Sequence, residues 1–356
     1  MTIPFIVKSL ETLGGGSERV FVEVASGLRT RGYDIEVVTF DLPDAPSFYP
    51  LREDVPKHDL GPQSLHPVKL LALRRAILRM KPTQIVAFMP SSYVPTAFAL
   101  LGSGVAVRAS EHNVPARYRS APAKWGLLNA TVPAIDRFTA VSAQMKDAYP
   151  WWIRRKMTVV ENPVSGTGTE LADVVAAGRP KRLLAVGRLH PQKDHVTLIH
   201  AFSVIAETMP DWHLRILGEG AERSTLELEV KRLGLADRVE MPGAVTDMSA
   251  EYAAAQLYVI PSVYESQGLA TVEAMAHGLP AVGFRDCPGT NSIILDGLNG
   301  ILIDPYPNRP EALAQGLKGV MQDDQRRSSL ALGALAHVPG PRMDAVLDDW
   351  EAFLAS

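Results

Sequence analysis

The sequence is poor in the features that would force a special architecture. It has one cysteine, Cys287, in 356 residues. No internal disulfide can form, and a reducing compartment is expected. It has no excess of one charge: 36 Lys and Arg face 39 Asp and Glu, for a net charge of −3. That excludes a nucleic-acid binder working through bulk charge, and no nucleic-acid partner is expected. No apolar stretch approaches the ~18 residues of a membrane span. The 27 glycines and 27 prolines are spread along the chain, which excludes collagen-like repeats and low-complexity disorder. The first ten residues hold only Lys8 as a charge and lack a small-residue cleavage site, so they read as a strand and not as a signal peptide. The expectation is a cytoplasmic protein, or one resting on a membrane without crossing it.

What is present is an ordinary globular composition, 46% hydrophobic, long enough for about two domains at ~150 residues each and for a large core. Short apolar runs alternate with amphipathic stretches, the pattern of parallel sheets with crossover helices. In the first half, strands are expected over 3–10, 34–40, 84–88, 105–109, 137–141 and 158–161, with helices over 17–30, over 68–80 (stopped by Pro82) and from Ser142. A turn-rich stretch with Pro163, Ser165, Gly166, Thr167, Gly168 and Thr169, closed by Gly178-Arg179-Pro180, marks a domain boundary. The alternation then restarts. Strands are expected over 182–186, 212–217, 238–241, 257–260, 281–284 and 300–303, and helices over 194–208, 222–233, 247–255, 268–276 and 311–321. A final helix, 343–354, carries Val346, Leu347, Trp350 and Phe353 on one side. Two doubly wound α/β domains with a cleft between them are expected.

Several residues could carry chemistry at strand ends, where open α/β sheets bind ligands. Gly14-Gly15-Gly16 lies between the first strand and its helix, where glycine lets a backbone approach a ligand and a helix N-terminus favours anions. It is not a G-x-G-x-x-G fingerprint, since Arg19 stands at the third glycine position. Asp41 follows the second strand where a ribose partner would sit, so a nicotinamide-dependent oxidoreductase stays open. In the second half, Gly187-Arg188-Leu189 ends a strand and Lys193 follows. That pair could hold a diphosphate, Arg as a flat fork and Lys as a point charge. Glu265 lies in the loop after the 257–260 strand, and Gly268 and Leu269 open a helix with Glu273 on its second turn. Glu273 can accept two hydrogen bonds from a ribose diol, and a carboxylate on so apolar a helix needs a partner. His112 follows the 105–109 strand. His190, His195, His200, His213 and His277 show no metal-ligand spacing. Asp323-Asp324 and Asp348-Asp349 lie on helical surface, away from strand ends, so no metal is expected. Cys287 reads as an incidental loop thiol. Arg74, Arg75, Arg79 and Lys81, and Trp151-Trp152 beside Arg154-Arg155-Lys156, read as solvated faces or as contacts with an anionic membrane.

Together these stretches resemble glycosyltransferase family 4, a group of retaining GT-B enzymes. The run from Val186 through Gly187-Arg188-Leu189-His190-Pro191-Gln192-Lys193 to Asp194 looks like the family's donor diphosphate loop, and Leu217-Gly218-Glu219-Gly220 like its next strand end. Glu265 and Glu273, with seven residues between them, match its two-glutamate signature, and Gly278-Leu279-Pro280 and Asp296-Gly297-Leu298-Asn299-Gly300 complete it. The resemblance covers 182–304 best and is weaker before it.

It implies a GT-B fold. An acceptor-binding domain would span 1–165 with the last helix, 340–356, returning to it, and a donor domain would span 166–339. The implied reaction moves a hexose-type sugar from a nucleoside diphosphate sugar, UDP favoured over GDP, to a hydroxyl of a glycan or lipid-linked acceptor, with retention and without a metal or other cofactor. Arg188 and Lys193 would hold the diphosphate, Glu273 the ribose, Gly218, Gly268 and Leu269 the donor backbone contacts, and Glu265 the sugar. His112 would lie over that sugar, and Gly15 and Gly16 would close on the diphosphate. Ser266-Gln267 departs from the Gly-Phe of many members, and the loop from Cys287 to Asn291 looks like members acting on polysaccharide or lipid-linked glycans. Peripheral attachment to the inner face of the plasma membrane would suit such an acceptor. A GT-B-shaped nucleotide-binding protein without transferase activity is the remaining alternative.

Overall fold

In the computed structural model, residues 2–11, 15–118, 121–164, 170–175 and 180–356 are described. Gly14 and the turn-rich residues 165–169, Gly178 and Arg179 lie outside them. The chain divides into two compact units, Met1–Pro163 with Pro341–Ser356, and Val164–Gly340.

The first unit is built on seven strands: β1 (Ile3–Val7), β2 (Ile35–Thr39), β3 (Lys57–Asp59), β4 (Gln84–Phe88), β5 (Ala106–Glu111), β6 (Arg137–Ala140) and β7 (Met157–Val159). Their order is β3-β2-β1-β4-β5-β6-β7, and every pairing is parallel. A parallel sheet has helices on both faces, so its strands are apolar runs. All five residues of β1 are buried. The crossovers are α1 (Gly16–Thr30), α2 (Pro67–Arg79), α3 (Pro90–Ala99), α4 (Pro122–Thr131), α5 (Ala143–Ala148) and α6 (Trp151–Arg154). The strand order reverses between β1 and β4, the position where doubly wound sheets leave a crevice at their carboxyl ends.

The second unit repeats the plan with β8 (Lys181–Val186), β9 (Trp212–Leu217), β10 (Val239–Gly243), β11 (Leu257–Ile260), β12 (Ala281–Phe284) and β13 (Gly300–Ile303), in the order β10-β9-β8-β11-β12-β13. Its helices are α7 (His195–Ile205), α8 (Arg223–Arg232), α9 (Met248–Ala253), α10 (Leu269–Ala276), α11 (Arg309–Met321) and α12 (Asp324–Ala336). Here the order reverses between β8 and β11.

The last helix, α13 (Met343–Ala355), packs in the first unit. Val346, Leu347, Trp350, Phe353 and Leu354 are buried, each contributing ~1.5–3 kcal/mol on full burial. Trp350 stacks on Phe88 at 5.5 Å. Gly27 of α1 lets the helix approach, since a Cβ there would stand 2.8 Å from Leu347. Arg31 pairs with Asp348 at 2.6 Å and with Glu351 at 3.2 Å.

Elements without a counterpart among the expected ranges include α3, β3, α4 and α12. Helix α3 contains Pro90 and Pro95 and starts from Met89 at φ 67. Its prolines argue against a helix, and its nearly all-round burial erases the amphipathic period. Strand β3 is three polar residues on the sheet edge. Helix α4 begins with Pro122 and shows little sidedness. The expected helix 194–208 divides into α7 and a 3₁₀ turn, Ala206–Thr208.

Candidate functional site

The switch point of the second sheet carries a cluster of linked polar side chains. After β8 the chain turns through Gly187, which donates its N–H to the Leu217 carbonyl at 2.9 Å. This loop lies flat on the next strand end. A Cβ on Gly218 would stand 2.1 Å from the Gly187 oxygen, and one on Gly220 would stand 2.2 Å from the Leu189 oxygen. Both glycines are thus required by backbone contact between loops. Arg188 is exposed at the crest of the turn.

Lys193 ends a 3₁₀ turn, Pro191–Lys193, and its methylenes lie 3.1 Å from where a Cβ on Gly187 would be. Its ammonium reaches Glu265 Oε1 at 2.7 Å, with side-chain exposures of 16% and 7%. The Ser262 hydroxyl donates to the same oxygen at 2.5 Å. Two further bonds join the loops: Gln192 Nε2 donates to the Tyr264 carbonyl at 2.8 Å, and Val263 N–H to the Gln192 carbonyl at 2.9 Å. A buried carboxylate is tolerated only when its lone pairs are engaged, and here a lysine from a different loop engages it. Sequence spacing gave the two residues separate roles; the fold makes them one ion pair.

Gly268 caps α10 at φ 65, and a Cβ there would approach Ile293 to 2.9 Å. Leu269 is the first residue of α10, and Glu273 sits one turn in, buried, with the Tyr252 hydroxyl donating to Oε2 at 3.0 Å. Tyr252 is the partner this carboxylate needs. It lies 21 positions earlier in the chain, beyond the reach of any local pattern.

In the first unit, His112 follows β5. Its Nε2 lies 3.0 Å from the Ser110 hydroxyl, which Thr139 Oγ1 approaches at 2.9 Å, and its ring stacks on Phe88 at 5.4 Å. Burial lowers its pKa to about 4, so the imidazole is neutral at neutral pH. The turn that holds it is organised by Glu111, a residue without a role of its own in the sequence pattern. The Glu111 carboxylate accepts from the backbone N–H groups of His112 (2.9 Å) and Asn113 (2.8 Å) and from the hydroxyls of Tyr93 (2.5 Å) and Tyr118 (3.1 Å). Burial pushes its carboxyl above the usual range, against the pull of these bonds.

Gly15 caps α1 and Gly16 opens it. The Glu18 carboxylate lies 2.5 Å from where a Cβ on Gly15 would be, so an acidic side chain already sits at this helix start. Asp41 is buried and accepts the Leu10 N–H at 2.8 Å through Oδ2.

Other expectations change in three dimensions. Cys287 is fully buried, its thiol 3.2 Å from Thr290 Oγ1 and raised to about 11 by burial; it is a core residue. Lys156 turns inward to the carbonyls of Val132 (2.9 Å) and Ile135 (2.6 Å) and leaves the basic patch. Arg74 likewise binds the carbonyls of Ala99 (2.9 Å) and Leu101 (2.8 Å). Trp151 and Trp152 remain exposed beside Arg154 and Arg155. Asp323 caps α12, and Asp324 pairs with Lys181 at 3.0 Å. Among the described residues no three His, Cys, Asp or Glu side chains gather as a metal site, and no helix is long and apolar enough to cross a membrane.

Two doubly wound parallel units, with polar loops at the switch point of the second, define a GT-B α/β protein. The solved structure of HepE from Anabaena in complex with UDP-glucose shares this fold, with a TM-score of 0.79 at 20% identity over 100% of this chain and 99% of that one. A family model for Glycosyltransferase Family 4 matches residues 14–165, and one for Glycosyl transferases group 1 matches residues 169–334. The chain belongs to this glycosyltransferase family. A lipopolysaccharide core biosynthesis glycosyltransferase, LpsE of Rhizobium meliloti, is 26% identical over 362 residues, 96% of each chain. A glycosyltransferase of Haemophilus influenzae is 29% identical over 174 residues, 49% of this chain, and the match spans about half (49%) of that relative's length.

Proposed function

We propose that this chain is a retaining, metal-independent hexosyltransferase. It moves a sugar from a nucleoside diphosphate sugar, UDP favoured over GDP, to a hydroxyl of a glycan or lipid-linked acceptor. The observation that carries this is the Lys193–Glu265 pair at the second switch point, with Arg188 exposed on the same loop. The barrier is departure of the diphosphate from an oxocarbenium-like centre. Arg188 and Lys193 bring preorganised positive charge to the departing group, the task a metal ion performs in other transferases. A diphosphate arriving at Lys193 shares its ammonium with Glu265, so binding couples the phosphate end of the donor to the carboxylate expected at its sugar. Glu273 accepts from the ribose hydroxyls, and His112, neutral, offers a hydrogen bond to the sugar. The leaving phosphate takes the acceptor proton, so no separate base is needed. HepE, the structural neighbour, was solved with UDP-glucose, and LpsE is named for lipopolysaccharide core synthesis; both support a UDP-sugar donor and a surface-glycan acceptor. Exposed Trp151 and Trp152 beside Arg154 and Arg155 support contact with an anionic membrane at the cytoplasmic face, where such acceptors are presented.

The test is a panel of UDP-, GDP- and ADP-sugars followed by nucleotide release and NMR of the first-formed product, with and without EDTA. Retention of the donor's anomeric configuration and EDTA-insensitive turnover are expected. An inverted product, or activity that requires added Mg²⁺ or Mn²⁺, overturns the proposal.

A further inference from the structure

Arg309 belongs to none of the sequence motifs, yet three loops at the carboxyl edge of the second sheet converge on it. It opens α11. Its Nε donates to Asp194 Oδ2 at 3.3 Å. Nη1 faces both oxygens of Asp286, at 3.1 and 3.2 Å. Nη2 donates to the carbonyls of Pro261 (3.1 Å) and Ser262 (3.2 Å). The flat face of the guanidinium lies 3.7 Å from the centroid of the Phe284 ring. All three nitrogens and one face are engaged, by residues from the loop after β8, the loop after β11 and the end of β12.

Two of these contacts lead straight to the candidate site. Asp194 follows Lys193, stands at φ 50, and caps α7 through its other oxygen, 3.4 Å from Thr197 N–H. Ser262 presents its carbonyl to Arg309 and its hydroxyl to Glu265. One guanidinium thus joins the carboxylate of Asp194, the residue after Lys193, to the carbonyls of Pro261 and Ser262 in the loop that carries Glu265. We propose that Arg309 is a positioning residue of the donor site, setting the separation and angle of Lys193 and Glu265 so that a nucleoside diphosphate meets both. This rests on the function proposed above. The geometry calls for arginine: a planar fork can serve two carboxylates and two carbonyls at once while stacking on a ring, and a lysine ammonium cannot.

A residue that only braced the unit would alter its melting temperature and leave ligand affinity unchanged well below that temperature. A positioning residue alters affinity and turnover while the chain is fully folded. The experiment compares native full-length chain with Arg309→Gln and Arg309→Lys. Folding is checked by circular dichroism, UDP, GDP and ADP are titrated by calorimetry at 20 °C, and uridine is titrated by NMR. Expected are a roughly tenfold loss of UDP affinity and a ten- to a hundredfold loss of kcat/KM, the range for displaced catalytic groups. Uridine binding should stay at the native level, and Lys should give no recovery. Variants that match native UDP affinity and kcat/KM, with only the melting temperature lowered, overturn the positioning role. If Arg309→Gln does not fold, Asp286→Asn removes only the two-oxygen partner and should show a smaller loss in the same direction; native behaviour there overturns the role equally. A native chain that binds none of the three diphosphates overturns the functional reading itself, an outcome distinct from native binding with unaffected variants.

Discussion

Replacing Lys193 by Met keeps the length of the side chain, removes its charge and leaves Glu265 facing an apolar end. The pair is 2.7 Å long, and the two side chains are only 16% and 7% exposed. Removing one member of a buried pair costs ~3–5 kcal/mol. Glu265 keeps the Ser262 hydroxyl at 2.5 Å, and Lys193 is not fully buried, so the cost falls to about 2–3 kcal/mol. A unit of this size melts ~2–4 °C lower per kcal/mol, so Lys193→Met should melt ~4–12 °C below the native chain. Glu265→Gln should cost less, about 1–2 kcal/mol, because the stranded ammonium is nearer to water. The double variant has no stranded charge. It should sit close to the worse single, with a coupling of ~1–2 kcal/mol. The assay is thermal unfolding of all four proteins, without ligand and with UDP at ~100 times its native dissociation constant. Native chain should then gain ~2.7 kcal/mol, and Lys193→Met little. Single effects that sum within ~0.5 kcal/mol, or a Lys193→Met shift under ~2 °C, would refute the coupled-pair reasoning.

Glu273→Gln keeps the shape of the ribose acceptor without its charge and should weaken UDP binding about ten- to a hundredfold, as a charged hydrogen bond of ~1.5–3 kcal/mol implies; an unchanged calorimetric dissociation constant would remove the role. His195, 1% exposed at the start of α7, has its pKa lowered by burial from 6.5 to about 4. The unfolded chain binds the extra proton between those values, so stability is complete above pH 6.5 and declines as pH falls toward 4, by about 3 kcal/mol for this group. His195→Leu should flatten that part of the unfolding profile, and an unaltered slope would contradict the assignment. Trp151→Ala with Trp152→Ala should reduce sedimentation with anionic vesicles, which should also fall with salt; equal binding to neutral vesicles argues against the surface.

The alternation of apolar runs and amphipathic stretches determined both sheets apart from the edge strand β3, because strand and helix periods are local. The glycine turn at 187 and the glutamates at 265 and 273 were legible for the same reason: they are short patterns at strand ends. Helix α3 was not legible, because a helix buried nearly all round loses its period and Pro95 argues against it. Strand β3 needed the neighbouring strand to exist at all, three polar residues having no pattern of their own. At the site, sequence named Lys193, Glu265, Glu273 and His112 without the side chains that hold them. Tertiary structure decided their partners: Lys193 for Glu265, Tyr252 for Glu273, Ser110 and Phe88 around His112, and Arg309 across three loops. Arg309 and Asp194 are 115 positions apart. No window of sequence joins them, because what selects an arginine there is a set of carboxylates, carbonyls and a ring that become neighbours only when three strands lie side by side.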